Sequence, residues 1–172
     1  ILEKSLITQL TKQNGKQHRS IAMTDSGSSC SLQNESSRFE ELMTQLKGNK
    51  ITIAKLRDEV FNILLDDATE SPETGKYYTF EYDPKFRDQL KEWDEYPLVY
   101  AVEFKKDNLL GANVHYIRTT NSRLKALNSK TFPKKTLRYY IPKNADRIFF
   151  EVKESEVELI ATLPLEKFHR NR

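Results

Sequence analysis

A single cysteine, Cys30, occurs in 172 residues, so no intramolecular disulfide can form and the stapled secreted domains are excluded. Only five glycines are present, too few for a backbone anion nest, and there is no Gly-rich phosphate loop, nucleophile elbow or zinc-protease helix motif. No apolar run approaches the roughly 18 to 20 residues that a membrane-spanning helix needs, so no membrane insertion is expected. The three histidines, His18, His115 and His169, have no Cys or His near them at metal-ligand spacing. No metal, cofactor, small-molecule substrate or catalytic residue is expected, and the chain reads as a binding protein and not an enzyme.

What is present is enough hydrophobic residue, 37%, for one core, under a surface in which charged residues make up 31% of the chain. The charge is uneven. Residues 1–74 carry 9 Lys/Arg against 11 Asp/Glu, whereas the remainder carries 19 against 14. From Arg118 to Arg147 nine basic residues accompany one acidic residue, Asp146. A second cluster, Asp83, Asp88, Glu92, Asp94 and Glu95, is interleaved with Lys85, Arg87 and Lys91, the pattern of a solvated, salt-bridged helix.

Three segments follow from the pattern. In residues 1–37, Leu2, Leu6, Ile7 and Leu10 are spaced as an amphipathic anchor helix, followed by a polar linker that contains Asp25-Ser-Gly-Ser-Ser-Cys-Ser31. Residues 38–70 read as a helical hairpin. Ser37 is placed to cap a helix with the stripe Phe39, Leu42, Met43 and Leu46, Gly48 ends it, and Thr52 starts a second helix with Leu56, Val60 and Leu64. The stripe residues Phe39, Leu42 and Leu46, with Leu2, Leu6, Ile7 and Leu10, are the candidates for docking onto a protein partner.

From Gly75 to Phe168 the period changes to two. Tyr78, Phe80 and Tyr82 alternate with polar neighbours as in a half-buried strand. Pro97 to Phe104 is expected as a strand with Leu98, Tyr100, Val102 and Phe104 on one face; Lys105-Lys-Asp-Asn108 turns the chain, and the return strand carries Leu110, Ala112, Val114 and Tyr116, with Gly111 marking a bulge or a close backbone approach. A brief helix around Leu124 and Leu127 precedes strands at Leu137–Ile141, Ile148–Val152 and Val157–Leu163. The class is α+β. The strands suggest a small bent antiparallel sheet or a barrel like that of Src-homology-3 domains, with an open sheet covered by the two helices as the alternative.

Arg118, Arg123, Lys125, Lys134, Lys135 and Arg138 are the candidates for phosphate contact, with Tyr139 and Tyr140 able to stack on bases or fill the core. Asp94, Pro97, Gly111, Asn113 and His115 form a further set of structural positions. Asp94-Glu-Tyr-Pro97 reads as a turn leading into a strand, and Asn113 and His115 as polar locks.

The succession Gly75-Lys-Tyr-Tyr-Thr-Phe-Glu-Tyr-Asp-Pro-Lys85, Trp93-Asp-Glu-Tyr-Pro-Leu-Val99 and Leu110-Gly-Ala-Asn-Val-His-Tyr116 resembles a family of small virion proteins of contractile-tailed, myovirus-type bacteriophages. Arg123, Leu137-Arg-Tyr-Tyr140 and Leu163-Pro-Leu-Glu-Lys-Phe168 extend the resemblance across Gly75 to Phe168, leaving the first 74 residues outside it. Members are labelled DNA end protector or virion structural protein. The resemblance implies a protein of the virion, assembled in the bacterial host cytoplasm, with other phage virion proteins as partners and DNA as a further one. The expected function is docking onto larger tail, baseplate or neck proteins, with binding of DNA ends or packaged DNA as the alternative. Ile1 would fit maturation by a phage protease or a start within a longer chain.

Overall fold

The computed structural model describes residues 38–48, 50–106, 108–141 and 148–171. The anchor helix of Leu2, Leu6, Ile7 and Leu10, the polar linker and the Ser37 cap lie outside the described residues. The chain divides into two compact units, 1–59 and 60–172.

In the first unit, helix α1 (Glu40–Lys47) buries Leu42 and Met43, and Phe39 at its N-cap is also buried. Gly48 ends it without entering the left-handed region, its amide donating back to Thr44 and Leu46 carbonyls. Helix α2 (Ile53–Ile63) begins as its sequence directs: the Thr52 hydroxyl accepts from the Lys55 amide at 3.3 Å. The boundary between the units falls within α2.

The second unit is built on an antiparallel sheet in the order β1-β7-β2-β4-β5-β6, where β1 is Ala68–Thr69, β2 Tyr77–Thr79, β4 Leu98–Lys105, β5 Asn108–Asn113, β6 Leu137–Tyr140 and β7 Phe149–Val152. A separate two-stranded ribbon pairs β3 (Glu92–Asp94) with β8 (Phe168–Arg170). Helices α3 (Thr120–Ser129) and α4 (Glu154–Thr162) pack on each other.

The sheet is open, with β1 and β6 as its two edges, and the expected barrel is not formed. The segment expected as a final strand, Val157–Leu163, is instead helix α4. Its Val157, Ile160 and Ala161 are buried together at positions i, i+3 and i+4, and Glu154 and Glu156 sit in the first turn, where the helix dipole favours them. The β-branched content masked this helical spacing. The charged segment around Asp88 and Glu92, expected as a salt-bridged helix, instead forms a short 3-10 turn, Arg87–Gln89, followed by β3.

Strand β2 differs from the half-buried expectation because it runs between β7 and β4 in the middle of the sheet. All three of its residues are buried. Phe80 and Tyr82 lie beyond the strand but join Tyr78, Trp93, Val99, Ala101, Leu109, Tyr140 and Phe149 in one cluster. Phe80 is central, with Tyr140 and Phe149 meeting it edge to face at 5.3 and 4.9 Å.

The β4–β5 hairpin forms where the sequence places it, Lys105 opposite Asn108, with Lys106 at φ 51°. A register shift between Ala101 and Glu103 changes the phase of β4. Val102 is therefore exposed, contrary to expectation, while Phe104 packs on the cluster containing Val99 and Ala101. Gly111 is a true close approach: a Cβ there would lie 2.0 Å from Val99 Cγ1 and 3.1 Å from the Tyr100 carbonyl oxygen.

Candidate nucleic-acid interface

Two 3-10 turns bring the basic stretch together. The turn Val114–Tyr116 follows β5, the turn Lys134–Thr136 leads into β6, and the two pack against each other. Arg118 is exposed just beyond the first, and Lys134 and Lys135 are exposed within the second. Lys125 is exposed on α3.

Arg138 ties the two turns together. Its guanidinium lies 4.1 Å from the centre of the Tyr116 ring and donates to the carbonyls of Lys135 and Leu137 at 2.7 and 2.8 Å. Burial raises the Tyr116 phenol above its ordinary pKa, with Arg138 pulling the other way. Next to Arg138 on β6, Tyr139 is 67% exposed.

Two candidates in the same stretch point inward. Tyr140 fills the aromatic cluster, and its burial drives the phenol well above its ordinary pKa. Arg123, in α3, is buried: its Nε donates to the Ile117 carbonyl at 2.8 Å, its Nη1 to the Ala161 carbonyl at 3.2 Å, and its Nη2 to the His115 carbonyl and to Glu166 Oε1 at 3.2 and 2.9 Å. It joins α3, the Val114–Tyr116 turn and the end of α4. Neither residue offers its polar group to solvent.

The expected structural set is largely brought into one place. The Asp94 carboxylate, fully buried, faces His115 Nδ1 at 2.7 Å and accepts from Asn113 Nδ2 at 3.2 Å, the Tyr96 amide at 3.2 Å and the Lys167 amide at 3.0 Å. An ionised carboxylate can only accept, so His115 carries the proton on Nδ1. The Asn113 side chain in turn accepts from the His115 amide at 2.9 Å. Burial works against a charge on Asp94, but His115 and the amides of Lys167 and Asn113 outweigh it and hold the pKa below its ordinary value. Burial likewise opposes the charge on Glu166, and His115 and Arg123 together hold its pKa low. Gly111 stands two residues before Asn113 in β5, and Pro97 immediately before β4.

The reading of the acidic cluster as a solvated helix is therefore corrected. Glu92 pairs with Arg170, and Asp83 with Arg87. Glu95 meets both Lys167 and His169; these contacts overcome burial and bring its pKa to about 2. His169 also stacks on Trp93 with ring centres 5.0 Å apart. No sequence motif announced these histidine–carboxylate pairs.

Elsewhere, a cleft of about 230 Å³ opens between Lys76, Lys130 and Glu154. Two of the three lysines that line it are matched by acids, Lys76 by Glu73 and Glu151 and Lys130 by Glu154. Among the described residues there is no group of His, Cys, Asp or Glu that could hold a metal ion, and no helix long and apolar enough to cross a membrane.

An open α+β sheet whose edge strand and adjoining turns display cations beside an exposed aromatic ring has the makings of a polyanion-binding module. Residues 4–132, about three quarters of the chain, match the model of the family described as phage T4 terminal DNA protecting protein. The protein belongs to that family. The match takes in nearly all of the first 74 residues, which the resemblance left outside, and ends at residue 132, before the Leu137–Tyr140 and Leu163–Phe168 segments that the resemblance included. No curated protein and no solved structure matches the chain.

Proposed function

We propose that the protein binds the ends of phage DNA, shielding them by occupancy and without a chemical step, through Arg118, Lys125, Lys134 and Lys135 at its surface, with Arg138 holding the adjoining turns together. The observation that carries this reading is the pair of packed 3-10 turns, which gathers exposed cations at one edge of the sheet. Phosphate neutralisation by Lys and Arg is independent of sequence, as a protector of DNA termini requires. The family match supports DNA as the partner. It offers nothing toward docking on tail, baseplate or neck proteins, so the DNA-end reading is the better supported of the two. A place in the virion, on the packaged DNA, follows from the same reading.

The test is charge reversal. Lys134→Glu with Lys135→Glu should weaken binding to linear duplex DNA more than tenfold at low salt and shorten the protection of that DNA from an exonuclease. The slope of log affinity against log salt should fall in magnitude by about two. Unchanged affinity at low salt would sink the proposal.

A further inference from the structure

Phosphates run the whole length of a duplex, so lysines and arginines alone cannot distinguish an end from the interior. Only an end presents the flat face of a last base pair, or an unpaired base beyond it. An exposed aromatic ring is the side chain suited to either surface.

The aromatic residues of the basic stretch and its surroundings are mostly occupied. Phe132 stacks on Tyr100, Tyr140 lies among Phe80 and Tyr82, and Tyr116 is held between Arg138 and Phe168. Tyr139 is different. Among the described residues it is, at 67%, the most exposed large hydrophobic side chain, and no aromatic ring or cation there covers its face. It stands on β6, an edge of the sheet, sharing a strand face with Leu137, itself 38% exposed. Lys134 and Lys135 are exposed in the turn that enters this strand. Across the sheet, Tyr139 opposes Leu110, which in turn opposes Glu103, the ion-pair partner of Lys105 at 2.6 Å. Lys134 and Lys135 thus precede the ring along the same edge of the sheet, and Lys105, paired with Glu103, lies beyond Leu110.

We propose that Tyr139 is the group that recognises the DNA end, its ring stacking on the terminal base or base pair while Lys134 and Lys135 hold the adjacent phosphates. This rests on the DNA-end reading above and adds the feature that separates an end from the rest of the duplex. The ring needs no particular base, because every base has a stacking face.

The experiment compares binding of the full chain to a covalently closed minicircle and to its linearised form, for the wild type, Tyr139→Ala, Tyr139→Phe and the double Lys134→Glu, Lys135→Glu variant. The wild type should prefer the linear form. Tyr139→Ala should lower that preference by about fivefold to a hundredfold, the loss of one stacked base, with affinity for the circle unchanged. Tyr139→Phe should keep the preference, and the charge reversal should weaken both forms while leaving their ratio intact. Full preference for linear DNA retained by Tyr139→Ala overturns the assignment of Tyr139 and leaves the DNA-end reading standing. Equal wild-type binding to circle and linear DNA, or binding to neither, overturns the DNA-end reading as well.

Discussion

Replacing Asp94 with alanine removes the acceptor of four hydrogen bonds at once. Two of the donors, Asn113 Nδ2 and His115 Nδ1, are buried, and the Tyr96 and Lys167 amides are partly so. Each buried donor left unsatisfied costs about 1–3 kcal/mol. Two of them give about 4 kcal/mol at the middle of that range, or a fall in Tm of about 8–16 °C for a chain of this size. Urea titration followed by fluorescence provides the assay, since Trp93 is the single tryptophan and adjoins the substituted position. Asp94→Asn should lose nearly as much, because its amide nitrogen would face donors. The effect must also depend on pH. The folded-state pKa of Asp94 lies below its ordinary value, so the carboxylate's contribution is fully present above about pH 4 and is lost as pH falls through the depressed folded value. Wild type and Asp94→Ala should therefore converge in stability under strongly acidic conditions. A loss below about 1 kcal/mol at neutral pH, or a difference that does not shrink in acid, refutes the reasoning.

Gly111→Ala should destabilise by about 1–3 kcal/mol through overpacking, since its new Cβ would meet Val99 Cγ1; adding Val99→Ala should recover part of the loss in the same urea assay. Arg123→Ala should lower stability by about 3–5 kcal/mol, because it removes the ion pair to the partly buried Glu166 carboxylate and takes the guanidinium donor away from three backbone carbonyls. Arg118→Ala, at an exposed position, should stay within about 0.5 kcal/mol of wild type and yet weaken DNA binding, so comparing the two by melting and by DNA titration separates the structural arginine from the surface one.

Local features were legible in the sequence because local physics makes them. The apolar spacing of α1 and α2, the Thr52 cap and the β4–β5 turn each need only a few neighbouring residues. Phase errors began where one residue changes the count, as in the β4 shift that exposes Val102, and where β-branched residues sit at helical spacing, as in α4. The polar site was half legible: Asp94, Asn113 and His115 stood out as structural positions, but the contacts of Asp94 with the other two span 19 and 21 positions, and the Lys167 amide lies 73 residues from Asp94. Charge counting could not reveal that Arg123 faces inward while Lys134 and Lys135 face outward. That difference depends on α3 meeting the end of α4, and α4 was read as a strand.

The buried Asp94 also bears on which sheet the chain can form. Sliding β5 by one position against β4 would turn Asn113 to the opposite face and carry Gly111 away from Val99, so a Cβ-bearing neighbour would have to occupy the tight spot. Asp94 would then be an ion in the interior with its Asn113 bond gone and His115 displaced. A purely apolar sheet would tolerate such a slip with modest loss. Here the misaligned state leaves the buried carboxylate with only the Tyr96 and Lys167 amides, so it acts as a register gauge for the β4–β5 hairpin and for the β8 segment that closes over it.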